Sequence, residues 1–573
     1  MLDRLPLEIQ LKISENLPQT DCYHLLLCSR SLYQTNIQRL YQSIIIDGSR
    51  LYYHKELENY DDLRELDGLE VKSSIIKTTY GLKNFVKSVS TSNLLSSYIE
   101  LLEVGSNLPG IEFDSIKLLE KLMLRLTGLR SLKFEYNSCF ININKLIKSI
   151  PCQKNLISIN CDYLKPDDDV LHEISNLKEI TLSHFGFNLN IGKFKKLIKL
   201  EINRSHSSSY PLQYISNEIN YNSKKDDFKE GDLKLSNLFK SNRSRKLKLN
   251  HLKLNSFSLK SSDSKILIDN IDFTNLKSLE LLDITELSGL TNNGIHTEFE
   301  LPNDMNPDEF EEIIIQQMNN SNLQLSPYTR NHQYSESFIS TLKPHLTQLN
   351  VLALDLYTDF KDDGAELIEH INDLKTLYVN FRWNGSRQQY FNTTFTKMFF
   401  NYMKAISIHK NLKNLILDSI NESKHELIGF NFKIISKLLL NLNGLKTLKL
   451  NSKLNDLIQF MNFINSNLKQ LTFLEIRLFE FDFKRSLTEQ HFISFEMLKR
   501  ENHGVEGDDN ADKLTQDSLD LDSLNLYGIL LEFKLKTNVQ YLKIFNIIVD
   551  LKELKIKDRG LDEWFSHNLR NYQ

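Results

Sequence analysis

The chain has 573 residues, of which 70 are basic and 74 acidic, for a net charge of −4. A balance this close to neutral provides no basic face for non-specific nucleic-acid binding. The composition is globular, with 40% hydrophobic and 25% charged residues. With only 19 Gly and 10 Pro, a collagenous or Pro-rich chain is excluded.

Met1-Leu2-Asp3-Arg4-Leu5-Pro6 lacks the uninterrupted apolar stretch of a signal peptide. No run reaches the roughly 18 apolar residues of a membrane span. The greasiest segment, Ile434 to Leu442, is broken by Lys437 and preceded by Lys433. Five cysteines, an odd number, imply free thiols in a reducing compartment. The expectation is a cytoplasmic or nuclear protein with no membrane partner.

The first forty residues predict three short helices. Pro6 suits a first helical position and Glu8 the positive end of the helix dipole. Leu5, Ile9, Ile13 and Leu17 recur every four residues and form one apolar face. Pro18 ends that helix, and Thr20 is the expected N-cap of a second, whose apolar residues are Leu25, Leu26 and Cys28. A third helix comes next with Leu32, Tyr33, Ile37 and Leu40. Such a unit is at the lower size limit for an independent core, which suits a module with a docking partner. The phrase Leu5-Pro6-Leu7-Glu8-Ile9, together with Cys28-Ser29-Arg30 and Leu32-Tyr33, resembles the F-box. That resemblance implies docking on a Skp-family adaptor, and through it a cullin, with Leu5, Pro6, Ile9, Ile13 and Leu17 at adaptor-facing positions.

Ile44-Ile45-Ile46 predicts a short strand at the entry edge of a repeating region. There the phrase L-x-x-L-x-L, with conservative swaps, recurs along the chain. Copies include Leu129/Leu132/Phe134, Leu156/Ile159/Cys161, Leu276/Leu279/Leu281, Leu374/Leu377/Val379, Leu445/Leu448/Leu450, Leu521/Leu524/Leu526 and Leu551/Leu554/Ile556. Several are preceded by Asn-Leu-Lys or Gly-Leu-Lys. Alternation predicts a strand in which the fourth and sixth positions point into a core and the residue between them to a concave face. Segments such as 143–150 and 432–440 supply the convex helices. The pattern resembles irregular leucine-rich repeats of the fungal F-box kind. An Asn at the ninth position stands at Asn137, whereas Phe185, Ser205, Phe257, Ile284, Tyr357 and Ile420 occupy it in other copies.

The expected architecture is therefore α/β: an N-terminal three-helix F-box (1–46), then a horseshoe-shaped leucine-rich-repeat solenoid (47–573). Polar insertions interrupt it near 205–246, 288–340 and 500–520, the second with an acidic helix starting at Asn306-Pro307. Leu561, Trp564, Phe565 and Leu569 predict a C-terminal capping helix.

Motifs for chemistry are missing. Gly289 and Gly294 have the spacing of a phosphate loop, but Ile295-His296 stands where Lys-Ser/Thr is required. Cys152, Cys161, His172 and His184 lack the close pairing of zinc ligands. Cys28, Cys139 and Cys161 read as small core hydrophobes. No catalytic residue, metal or cofactor is expected. A mixed-sign concave face suits a protein target, with Asp355, Tyr378, Arg382, Trp383, Asp418 and Arg477 as candidate contacts on the least interrupted repeats. The combination implies a substrate receptor of an SCF-type ubiquitin ligase. Alternatives are an F-box protein that sequesters or inhibits a partner, or a plain repeat scaffold.

Overall fold

The computed structural model describes residues 2–17, 19–48, 73–105, 108–134, 142–161, 168–183, 190–203, 235–239, 246–286, 337–358, 362–383, 393–421, 426–427, 432–452, 457–478, 530–544, 547–556 and 560–562. Three helices come first: α1 (Leu7–Glu15), α2 (Gln19–Leu26) and α3 (Arg30–Gln42). Ser29 caps α3, its hydroxyl accepting from the Leu32 N–H at 3.2 Å. The second helix begins at Gln19, not after a Thr20 cap, and its buried residues are Cys22 and Leu26, while Cys28 is exposed. An expected core role for Cys28 therefore fails: it lies past the last turn of α2 and faces solvent.

The helices lead into one sheet, with nineteen strands among the described residues. They are β1 (Ser43–Ile46), β2 (Ser73–Ile76), β3 (Leu101–Val104), β4 (Ser131–Phe134), β5 (Ser158–Cys161), β6 (Glu179–Ser183) and β7 (Lys199–Asn203). Next come β8 (His251–Asn255), β9 (Ser278–Glu286), β10 (Val351–Thr358), β11 (Thr376–Trp383), β12 (Asn414–Asn421) and β13 (Glu426–Leu427). The last are β14 (Thr447–Ser452), β15 (Phe473–Leu478), β16 (Tyr541–Ile544), β17 (Ile547–Asp550), β18 (Lys555–Ile556) and β19 (Gly560–Asp562). From β3 to β16 each strand pairs with the next in parallel, apart from β13, which turns back on β12. β17 and β18 extend the far end in antiparallel fashion. Convex helices, among them Ile143–Ser149 and Phe432–Leu439, occupy the segments where the sequence places them.

The alternation holds in register. Leu132, Ile159, Ile180, Leu200, Leu252 and Leu279 form one row against the helices, and Phe134, Cys161, Leu182, Ile202, Leu254 and Leu281 form the next. All are buried. At each junction the backbone repeats one device. The carbonyl just before a strand accepts two N–H groups from the start of the next strand: Glu100 from Arg130 and Ser131, Lys375 from Lys413 and Asn414, Thr472 from Gln540 and Tyr541. It recurs at every parallel junction from β3 to β16.

Three expectations are corrected. β1 is not an edge strand, because it lies between β2 and β3. The phrase at Leu551/Leu554/Ile556 is not another parallel repeat: Leu551 and Leu554 sit in a turn, and Leu554 takes a positive φ of 52° before β18 folds back on β17. Leu561 lies in β19 and not in a helix, and Trp564, Phe565 and Leu569 fall outside the described residues. The first polar insertion also contains core: Leu235, Leu238 and Phe239 are buried. The second is pinched at its base, where Glu286 accepts from the Phe338 N–H and Ser337 bonds to Asp363. The acidic helix at Asn306, the copy at Leu521, Asn137 and Cys139 are outside the described residues.

Leu377, fully buried near the start of β11, tests the packing. Leu377→Ala is expected to destabilise the solenoid by about 2–5 kcal/mol, the range for cavity formation in a close-packed core. Urea unfolding monitored by circular dichroism measures it.

Candidate docking surfaces

Helix α1 packs the wrong way round for a soluble helix. Its polar residues Gln10 and Ser14 are buried, at 5% and 4% exposure, while Leu7 and Ile9 are 56% and 44% exposed. Hydrogen bonds explain the inversion. Ser14 Oγ donates to Asn36 Oδ1 at 2.9 Å, and Asn36 Nδ2 donates to the Leu32 carbonyl at 2.7 Å. Gln10 Nε2 donates to the Leu5 carbonyl at 2.7 Å, and Ser31 Oγ reaches Gln10 Oε1 at 3.3 Å. These buried polar groups are satisfied from α3 and from the Leu5 carbonyl ahead of α1, so α1 is held by a polar seam and its apolar side is turned outward.

The expected adaptor-facing set therefore divides. Leu5, Pro6 and Ile9 are exposed, joined by Leu2 and Leu7. Ile13 is half-buried, and Leu17, beyond the Asn16 cap, packs on the core of the chain. Leu7 is the residue the four-residue spacing overlooked. Cys22 is sealed beneath this module with its thiol 3.6 Å from the Ser14 carbonyl, and burial pushes its pKa up to about 11, so it stays a thiol.

The inner face of the sheet is not a solvated surface. Its central row, Glu103, Lys133, Asn160, Thr181, Glu201, Lys253 and Glu280, comes mostly from buried residues. Charges in this row are paired along and across strands. Lys133 Nζ lies 3.6 Å from Glu103, and Glu201 receives Lys199 at 2.9 Å, His251 Nε2 at 3.2 Å and the Thr181 hydroxyl at 3.0 Å. Farther along, Lys449 sits 3.6 Å from Asp418 and 3.7 Å from Glu475, which also meets Lys543 at 3.3 Å. Burial by itself raises the Glu201 carboxyl, but the His251 contact with Lys253 and Lys199 outweighs it and holds the group well below the ordinary carboxylate range. Between the two charged stretches, and reaching Phe473 at the start of β15, runs an apolar patch with Val351, Ala353 and Ile416, against which Tyr378 packs.

The candidate target contacts are distributed over several strands. Asp355, Asn380 and Asp418 form one row across β10, β11 and β12. Arg382 and Trp383 end β11, opposite Ile420 and Asn421 of β12, and Arg477 faces Asn451 across β14 and β15. The strands β9 to β12, at 8 or 9 residues, outrun the 4 or 5 of β1 to β8. At about 3.3 Å per residue their ends stand roughly 10 Å beyond the rest. Asp355 and Asp418 are buried, Asp418 beside Lys449, which overturns the expectation of an accessible concave face at these positions. The Cys/His set does not converge, since Cys161 is inside β5 and the His172 ring stacks on Phe194 at 4.8 Å. Among the described residues no group of His, Cys, Asp or Glu could hold a metal ion.

The charged ladder predicts a pH dependence. Glu201 has a folded pKa below its reference value of 4.5, so its stabilisation is complete above that value and is lost as pH falls through the folded one. His409, whose pKa is lowered by burial despite its 2.9 Å contact with the Ile368 carbonyl, acts earlier. The unfolded chain takes up that proton first, so stability declines as pH drops below about 6.5. Thermal melts from pH 7.5 to 2.5 are expected to show both losses, with Glu201→Gln removing the lower one and His409→Gln the upper.

No family model matches the chain, and no curated protein matches it.

Proposed function

We propose that the chain is a substrate receptor of an SCF-type ubiquitin ligase, in which the N-terminal helices dock on a Skp-family adaptor and the repeats hold a protein target. The observation that carries this reading is the reversed amphipathicity of α1, with Leu5, Leu7 and Ile9 outward and Gln10 and Ser14 inward. A helix that satisfies its polar side within the chain and presents its apolar side to solvent is built for a partner. Each such side chain contributes about 1.5–3 kcal/mol when buried. The F-box phrase supplies the kind of partner. In this role the chain makes and breaks no bonds; it raises the local concentration of target lysines at the conjugating enzyme.

Target capture is assigned to the raised ends of β9 to β12. The inner face below them is closely lined, so a folded target meets the rim at Arg382 and Trp383. Trp and Arg are the residue types that dominate interface energetics.

Two substitutions separate the surfaces. Leu5→Asp with Ile9→Asp is expected to reduce co-purification of the Skp-family adaptor at least tenfold, with the thermal melt unchanged because both residues are exposed. Full adaptor recovery refutes the docking assignment, and adaptor without cullin in the same pull-down favours the sequestering role. Trp383→Ala is expected to weaken target capture about tenfold or more, by the usual weight of an anchor residue, without altering adaptor recovery. Asp418→Lys breaks the buried pair with Lys449 and is expected to lower the melting temperature as well.

A further inference from the structure

The strand order places the two ends of the sheet at nearly the same point of the chain. At one end, β16 is continued by β17 and then β18, which finishes at Ile556. At the other, β1 is flanked by β2, and β2 pairs on its outer side with β19, in the register Gly560↔Ser73, Leu561↔Ser74 and Asp562↔Ile75. Only Lys557, Asp558 and Arg559 separate β18 from β19. Four Cα steps of about 3.8 Å reach no farther than ~15 Å. The first and last strands of a nineteen-strand sheet therefore lie within that distance, although among the described residues no sheet pairing joins β18 to β19.

Elementary packing leads to the same shape. Parallel strands stand about 4.8 Å apart, whereas packed helices need about 9 Å. With helices roughly 10 Å outside the sheet, each repeat must turn by about 0.4 radian, or ~24°. About fifteen repeats then complete a circle. Of the nineteen strands, all but β13, β17 and β18 run parallel, which leaves sixteen. With β17 and β18, which continue the sheet beyond β16, eighteen spacings of about 4.8 Å give an arc near 86 Å, the length of a circle of about 14 Å radius. Side chains from all sides nearly fill such an opening, in keeping with the burial of Glu103, Glu201, Lys253, Glu280, Glu475 and Lys543.

We infer that β19 is a latch that ties the C-terminal end of the chain to the N-terminal edge of the sheet by capturing β2. Two features single it out. It covers the outer side of β2, which otherwise presents an open row of backbone donors and acceptors. It also lies against α2, so the latch sets the N-terminal helices beside the last repeat. The Ser43 and Ser73 hydroxyls, 2.7 Å apart on the inner face, mark the row that Gly560 completes. A closed latch restricts a folded partner to the rims, and an opened one exposes both β2 and the inner face. This inference is independent of the adaptor assignment.

The full chain carrying Ser73→Cys and Gly560→Cys tests it, in a Cys28→Ser background because Cys28 is exposed. Register partners on neighbouring strands fall within disulfide range. Mild oxidation is expected to join them, seen as a large mobility shift on a non-reducing gel, whereas a control pair of Ser73→Cys with Thr472→Cys stays unjoined. In the otherwise native chain, Leu561→Pro removes an N–H and fixes φ. It is expected to speed hydrogen exchange of the β19-facing amides of Ser73–Ile76 at least tenfold, with Thr376–Trp383 unchanged. No cross-link at the register pair, equal cross-linking of the control, or unaltered exchange in β2 overturns the latch.

Discussion

The structure depends on one repeated backbone interaction: a single carbonyl ahead of each strand that accepts two N–H groups from the next repeat. Glu100, Arg130, Ile157, Lys178, Ile198, Asn250, Lys277, Asn350, Lys375, Lys413, Lys446 and Thr472 each play this part in turn. The device fixes register, because a slip of one residue would send every buried Leu to the inner face. It also makes the repeats indifferent to what lies between them. Lys277 reaches Asn350 and Val351 across the long segment after Glu286, just as Lys375 reaches Lys413 and Asn414 across a short one. An Asn ladder for the turn amides is unnecessary where main-chain carbonyls already perform the junction chemistry.

In-register parallel pairing places identical positions about 4.8 Å apart, which forbids a run of like charges on the crowded inner face. Signs accordingly alternate: Glu103 beside Lys133, Glu201 beside Lys253 and then Glu280, Lys449 beside Glu475 and then Lys543. Buried pairs of this kind contribute more to specificity of arrangement than to net stability, since desolvation offsets much of their attraction. Where the row loses charge, at Ala353 and Ile416, an apolar patch takes over. Both solutions satisfy the same constraint, that a charge on this face is set beside its opposite.

Much of the fold was legible in the sequence because it rests on local periodicity. The rows headed by Leu132 and Phe134, and the helices at Ile143–Ser149 and Phe432–Leu439, derive from alternation and spacing alone. The Leu-Lys that precedes several strands falls at the ladder junctions, where the main-chain carbonyls of Lys375 and Lys413 accept from the next repeat. What periodicity could not reveal was long-range. That β1 is interior, that Leu561 joins a strand beside Ser74, and that Leu554 turns the chain back depend on contacts between residues far apart in sequence. Helix α1 was misread in one respect for a similar reason. A four-residue apolar spacing identifies a face, but only the Ser14–Asn36 bond decides that this face points outward, and it excludes Leu17 while adding Leu7.

The proposed receptor thus divides its work between an exposed apolar helix for one partner and the rim of a closely lined sheet for another. Hydrogen exchange of the full chain with and without a purified Skp-family adaptor tests that division most directly. The account predicts slowed exchange confined to the N-terminal helices, strongest over Leu2–Arg4 and Leu7–Glu15, with Thr376–Trp383 unaffected. No slowing over those helices at saturating adaptor, or slowing that falls on the repeats instead, contradicts it.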